Sequence, residues 1–359
     1  MRKLSVIGFM LVFCVSTIAQ VFMPPNDPLF SHQWALNNTG QVIANQNGIP
    51  GVDIGYLKAQ EILRQHELKT GSDCGEVVVA VLGTGWDFTH PDLQGVTVLN
   101  SDGVPIGPGE LPVFTTLGEF LTHDTASTKL GPSGLSPTTS VGSVIAAISG
   151  NGIGIAGISH KARILPLQVE DAEKRISATP ARILAATQFA IEFKPRPRIV
   201  VFPYAFTGVD ADLKQAIDLL EEADVNVVLS FYTARDIDAK PSWPAGYNTP
   251  SMITVMGVDN TGARYISSWW GAKTVHLAAP GWMIPIATPD GFYGQGTAAA
   301  YAAAVVAGAL AGVYAIHPEL TATQVKELMI ASSQLLSGLQ GKLVGGLVRA
   351  DKALTMASQ

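Results

Sequence analysis

The chain has 359 residues, 47% of them hydrophobic and 14% charged, which excludes a disordered chain and allows one large α/β domain or two ordinary ones. Its formal net charge is −6 with no basic run or stripe, so neither nucleic acid nor an anionic membrane surface is an expected partner. The 36 glycines and 22 prolines are spread along the chain, with no repeat, low-complexity segment or linker among them.

In chain order, the first stretch reads as an export signal. Arg2 and Lys3 supply positive charge, Leu4 to Val15 is mostly apolar, and Thr17-Ile18-Ala19 places small residues before a cleavage point between Ala19 and Gln20. The apolar run is short for a membrane span, and Phe13 ahead of Cys14 fits a lipid-attachment site poorly. The expectation is a signal peptide at 1–19, one domain at 20–359, and a secreted or periplasmic product with no membrane span. Losing Arg2 and Lys3 takes the formal charge to −8 and leaves Cys74 alone, which excludes an intramolecular disulfide. Asn37-Asn38-Thr39 is a glycosylation sequon, meaningful in a eukaryotic host.

From about Glu76, β-branched apolar runs alternate with helical segments. Val77–Leu82, Ile164–Val169, Ile199–Phe202, Val225–Ser230 and Ile253–Val258 have strand length, and unbroken apolarity suits strands buried on both faces of a parallel sheet. Thr179-Pro180 starts a helix over Ala181–Phe193, Asp210 caps one over Ala211–Ala223, and Thr321 with Gln324 forms a capping box for Val325–Ala331. Thr297–Ile316 is apolar over a membrane-spanning length, but its alanines and glycines make it weakly hydrophobic and suited to close packing, so it is expected as a buried core helix. The alternation predicts a doubly wound α/β sheet.

Several blocks, in order, carry a family resemblance. Pro25–Gln41 (PNDPLFSHQWALNNTGQ), Val77–Leu93 (VVVAVLGTGWDFTHPDL), Ser143–Val169 (SVIAAISGNGIGIAGISHKARILPLQV), the PSWPAGYNTPSMITVMGVD and VHLAAPG segments, GQGTAAAYAAAVVAGAL and HPELTATQVKELMIASS resemble the subtilisin-like serine proteases. The likeness implies a three-layer α/β fold, a mostly parallel doubly wound sheet with helices on both faces. It also implies a chemistry in which serine attacks the scissile carbonyl, histidine takes its proton, aspartate orients the imidazole, and an asparagine amide binds the oxyanion.

Each of those positions holds another residue here. Where the family has Asp-Thr-Gly this chain has Gly83-Thr84-Gly85, and its His-Gly-Thr-His becomes Pro137-Thr138-Thr139-Ser140. Thr233 stands at the oxyanion asparagine, to within about one residue along the loop by alignment, and Ala298 stands at the nucleophile of Gly-Thr-Ser-Met-Ala. The resemblance therefore implies an exported pseudoprotease, not an enzyme, that acts by binding a protein or peptide. The alternative is an active endopeptidase with relocated residues, for which His123 beside Asp124 is the candidate base. The mature-like sequence begins directly after the signal, so no propeptide domain is expected.

Two further expectations concern ligands. Pro203-Tyr204-Ala205-Phe206 replaces the family's substrate-pairing strand, so Tyr204, Phe206, Phe231 and Tyr232 are candidates for an aromatic binding surface, with ordinary packing as the plain alternative. Asp92 and Asn151 match residues that bind a structural calcium in the family; a solvated aspartate and a turn-forming asparagine would read the same way.

Overall fold

The computed structural model describes residues 23–71, 74–99, 103, 106, 138–170, 177–231 and 233–359, with the backbone of 111–114 and 120–123. The expected signal at 1–19 lies outside the described residues, as do Asp124, Pro137 and Tyr232.

After a small hairpin, β1 (Val42–Ile43) and β2 (Gln46–Asn47), comes helix α1 (Tyr56–Thr70). Then follow β3 (Val77–Gly83), β4 (Leu111–Phe114), β5 (Phe120–His123), α2 (Thr138–Ala146), β6 (Ala162–Gln168), α3 (Pro180–Glu192), β7 (Ile199–Phe202), α4 (Ala211–Glu222), β8 (Asn226–Leu229) and β9 (Ile253–Val258). The chain closes with β10 (Leu277–Pro280), a second hairpin β11 (Ile284–Thr288) and β12 (Phe292–Gly296), and helices α5 (Ala299–Ile316), α6 (Ala322–Ser332) and α7 (Ala350–Ala357).

The central sheet has the order β10-β9-β8-β7-β3-β6-β4-β5. From β10 to β6 every neighbour is parallel; β4 joins β6 in parallel through Val113 and Gln168, and β5 returns antiparallel. All seven residues of β3 are buried, as its unbroken apolar run requires. Val77, Val79 and Val81 point into a core built with α2, α5 and α7, while Val78, Ala80 and Leu82 point into a second core with α3 and α4. Helices thus cover both faces, giving the three-layer α/β architecture expected from the sequence.

Helix α5 is buried along its whole length, so its apolarity belongs to the interior. Its small residues let neighbours approach: a Cβ at Gly308 would come within 2.7 Å of the Ile158 Cβ. The helix starts follow the capping residues. Thr179 accepts from Arg182 N at 3.3 Å, Asp210 accepts from Asp212 N and Leu213 N at 2.9 and 3.1 Å, and Thr321 with Gln324 closes a full capping box. Because Thr321 is the cap, α6 starts at Ala322, three residues before the apolar segment that suggested it.

Candidate functional site

In an open parallel α/β sheet the crevice beyond the carboxyl ends of the strands is where function collects. Gly83 ends β3 there, level with Gln168 of β6. By alternation with Val77, Val79 and Val81 it faces the α2 and α5 side. Helix α2 begins beside it, and α5 begins at the same edge, where Ala298 N donates to Gly281 O at 3.1 Å just past the end of β10. The fold thus brings Gly83, the start of α2 and Ala298 to one edge, while Pro137, immediately before α2, is outside the described residues.

The contents of that edge differ from a catalytic site in a specific way. A Cβ placed on Gly83 would collide with Thr138 Oγ1, so the threonine occupies the space in which a longer side chain at 83 would begin. Where the resembled pattern has a large residue at 83 and glycine at 138, this chain has the sizes exchanged. Thr138 Oγ1 accepts from Gly85 N at 3.4 Å and Thr139 Oγ1 accepts from Asp87 N at 2.8 Å, which ties the start of α2 to the loop after β3. Trp86 is fully buried, with its ring packed so closely on Gly142 of α2 that a Cβ there would strike it.

No histidine is poised at this edge among the described residues, although a buried carboxylate, Glu170, lies there, its N–H donating to Gly83 O at 3.2 Å and its Oε1 accepting from Ala178 N at 3.3 Å. His90, the nearest histidine along the chain, is completely buried; its Nδ1 accepts from Asp92 N at 3.2 Å and its Nε2 lies 3.0 Å from Phe292 O. The second bond requires a proton on Nε2, so both ring nitrogens are committed. Asp87 Oδ1 accepts from Thr89 N and Thr89 Oγ1 at 2.8 and 2.7 Å. Ala298 precedes α5 with no side-chain cap. Ser143 donates to Ser140 O at 2.8 Å and accepts from Ala287 N at 3.0 Å, so its hydroxyl is used within the fold. Thr233 is half-buried four residues beyond β8, its carbonyl accepting from Arg235 N at 2.9 Å.

His123 lies on β5, where it pairs with Leu111 of β4. Leu121, Val113, Gln168 and Gly83 lie at one level of the sheet. At about 4.8 Å per strand and 3.3 Å per residue, the His123 backbone is therefore ~14 Å across the sheet from Gly83 and ~7 Å back from its carboxyl edge.

Among the described aromatic candidates, Tyr204 does not lie on a surface. Tyr204 is only 4% exposed and packs edge-on against Phe202 with ring centroids 6.2 Å apart. It is part of the α3–α4 core instead of a groove wall, because its position continues the face of Leu82 and Phe202. Phe206 and Phe231 are half-buried at the margin of the same core. At Phe206 both backbone groups are taken, donating to Trp243 O at 2.7 Å and accepting from Trp243 N at 3.0 Å. Pro203 has no N–H, so this segment offers few free groups for pairing with an extended peptide.

Asp92 and Asn151 do come together, through a 2.8 Å bond from Asn151 Nδ2 to Asp92 Oδ1. Asp92 Oδ2 accepts from Ile155 N at 2.9 Å and Asn151 Oδ1 from Ile153 N at 2.8 Å. Burial pushes the Asp92 carboxyl above the ordinary aspartate value, partly offset by these donors. Calcium needs six to eight converging oxygens. Here an amide nitrogen points at the carboxylate and the asparagine carbonyl turns away, so the arrangement does not fit the ion. Sequence reasoning missed Asp27, which accepts from Gly150 N at 2.8 Å, and Tyr293, whose ring lies against Gly154; their distance along the chain left no local signal.

Comparison with known proteins agrees with this architecture. The profile described as "Subtilase family" matches residues 75–345. The "Cell wall-associated protease" of Bacillus subtilis (strain 168) is 27% identical over 310 residues, 85% of this chain and 30% of the relative. "Fervidolysin" of Fervidobacterium pennivorans is 28% identical over 215 residues, 57% of this chain and 27% of its own length. The "Major intracellular serine protease" of the same Bacillus is 28% identical over 287 residues, 78% of this chain and 80% of its own. The chain thus spans less than a third of the first two relatives and most of the third. A solved structure from a set of proteases of Pseudoalteromonas arctica superposes with TM-score 0.68 and 20% identity, covering 93% of this chain and 100% of that one, a likeness of fold.

Proposed function

Because the chain belongs to the subtilase family, we propose that it keeps the family's scaffold without its peptidase chemistry and acts by binding a protein or peptide. The observation that carries this reading is the exchange at the end of β3, where Gly83 has no side chain and Thr138 fills the space one would need. Ala298 at the start of α5 supplies no nucleophile, and His90 has both ring nitrogens bonded within the fold. In subtilisin, a member of this family, removing the triad costs about 10⁶-fold in kcat, and losing an oxyanion donor costs about 10²–10³. The names of the relatives favour the opposite reading, a working peptidase with displaced residues. His123 is its candidate base, and its backbone sits far from Gly83 across the sheet.

The protein is exported in this reading, on the strength of the basic pair and apolar run at 1–19. The relatives include both a cell-wall and an intracellular protease, so they do not decide the compartment. A ligand would meet side chains, Phe206 and Phe231 among them, more than free backbone.

The deciding experiment incubates the purified chain with a denatured protein and a mixed peptide library, beside Ala298→Ser and His123→Ala variants. No hydrolysis above buffer is expected from any of the three, because restoring a serine restores neither base nor orienting acid. Cleavage that survives repurification and disappears in His123→Ala would sink the proposal.

A further inference from the structure

The 149–155 loop is where family likeness places a structural cation, and the carboxylates beside it are already bonded to its N–H and amide groups. We propose that the Tyr293 ring and a set of N–H donors close this loop in place of calcium, so that the fold is calcium-independent.

The two carboxylates at the loop, Asp27 and Asp92, are both buried. Asp27 accepts from Gly150 N at 2.8 and 3.0 Å and from Asn151 N at 3.3 Å. Asp92 accepts from Asn151 Nδ2 and Ile155 N, one donor on each oxygen. The Asn151 amide cannot be reversed at no cost: its oxygen would face Asp92 Oδ1, and its nitrogen would face the Ile153 N–H that now donates to it. Carboxylates that accept several N–H bonds are stabilised without a cation.

Tyr293 completes the closure from the hairpin β11–β12. Its ring lies so close to Gly154 that a Cβ there would collide with Cε1, Cζ and the hydroxyl. That hydroxyl stands by the Asp92 carboxylate at the margin of hydrogen-bond geometry. The other side of the ring meets His90 edge-on, with centroids 5.0 Å apart, and His90 in turn bonds the Phe292 carbonyl. The loop after β3, the 149–155 loop and the hairpin leading to α5 are thereby held as one unit. Gly154, at φ +44°, takes a backbone conformation that favours glycine and leaves room for the ring.

Thermal unfolding of the purified chain, followed in excess EGTA and in excess calcium chloride, tests this directly. The two midpoints should agree within about 1 °C, and calorimetric titration with calcium chloride should give no binding heat. Tyr293→Ala should lower the midpoint by about 4 °C or more, equally in both solutions. A wild-type midpoint raised several degrees by calcium and returned by EGTA would overturn the proposal, as would binding heat or a Tyr293→Ala protein as stable as the parent. The wild-type comparison decides the matter even if the variant fails to fold.

Discussion

The two ends of the central sheet treat their buried polar groups differently. At the amino ends of the strands, Asn226 of β8 donates to Ser251 O and Ala322 O at 2.8 Å each and accepts from the Tyr314 hydroxyl at 2.6 Å. His276, just before β10, accepts from Thr254 N at 3.0 Å. The hydroxyls of Ser159, Thr249 and Thr254 and the Nε of Arg198 are buried there without a partner among the described residues. At the carboxyl ends, Thr84 Oγ1, Trp86 Nε1, Gln168 Oε1 and Tyr204 Oη are all buried without one. Buried polar atoms without partners are costly, and in native proteins each calls for an explanation. Both ends carry such atoms. The amino end adds a polar hub, Asn226, that ties β8 to α5 and to the start of α6, whereas at the end of β3 the contact is one of volume, Thr138 against Gly83.

The largest test of that contrast is Asn226→Ala. It strands two carbonyls and a tyrosine hydroxyl in the interior and should cost about 3–5 kcal/mol, measured by urea unfolding. A cost under about 1 kcal/mol would mean that the Asn226 hub does not hold the amino end together.

Next in size is the acid limb. Burial, with a smaller contribution from the Lys326 charge, lowers the His276 imidazole from 6.5 to about 3. As pH falls below 6.5 the unfolded chain takes up a proton that the folded chain refuses, so stability is lost on acidification until about pH 3. Relative to His276→Gln, the wild type should lose about 2–3 kcal/mol between pH 6.5 and roughly pH 4.5. Parallel curves for the two proteins would refute the assignment.

The smallest effect belongs to the carboxyl end. Gly83→Ala should destabilise by about 1–3 kcal/mol through overpacking on Thr138. In a Thr138→Gly background the same change should be better tolerated, with a coupling of about 1 kcal/mol or more in a double-mutant cycle. Simple additivity would show that the two positions were not exchanging volume.

Much of this was legible in the sequence because local rules act over short spans. Ile199–Phe202 and Ile253–Val258 fall where continuous β-branched apolarity placed them, and Thr179, Asp210 and Thr321 cap helices through bonds two or three residues along. Of the two readings open for Tyr204, surface or packing, the structure takes packing for a related reason. A replaced segment suggests a changed groove, but the face on which its side chain lies depends on register with β3, which places it with Leu82 and Phe202 in the core. The pairs Gly83–Thr138, Trp86–Gly142 and Tyr293–Gly154 are each more than fifty residues apart, and no local pattern links them.

Residue identity alone therefore determined the alternation of strand and helix, the burial of the 299–316 helix, and the absence of an acid at 83 and a nucleophile at 298. Periodicity, capping and side-chain chemistry need no neighbours from elsewhere. Only the tertiary structure decided which side chains lie against these glycines, Thr138 at Gly83 and Tyr293 at Gly154. Close packing is a property of elements brought together from distant parts of the chain, and a missing side chain shows its consequence only once the atom that takes its place is known.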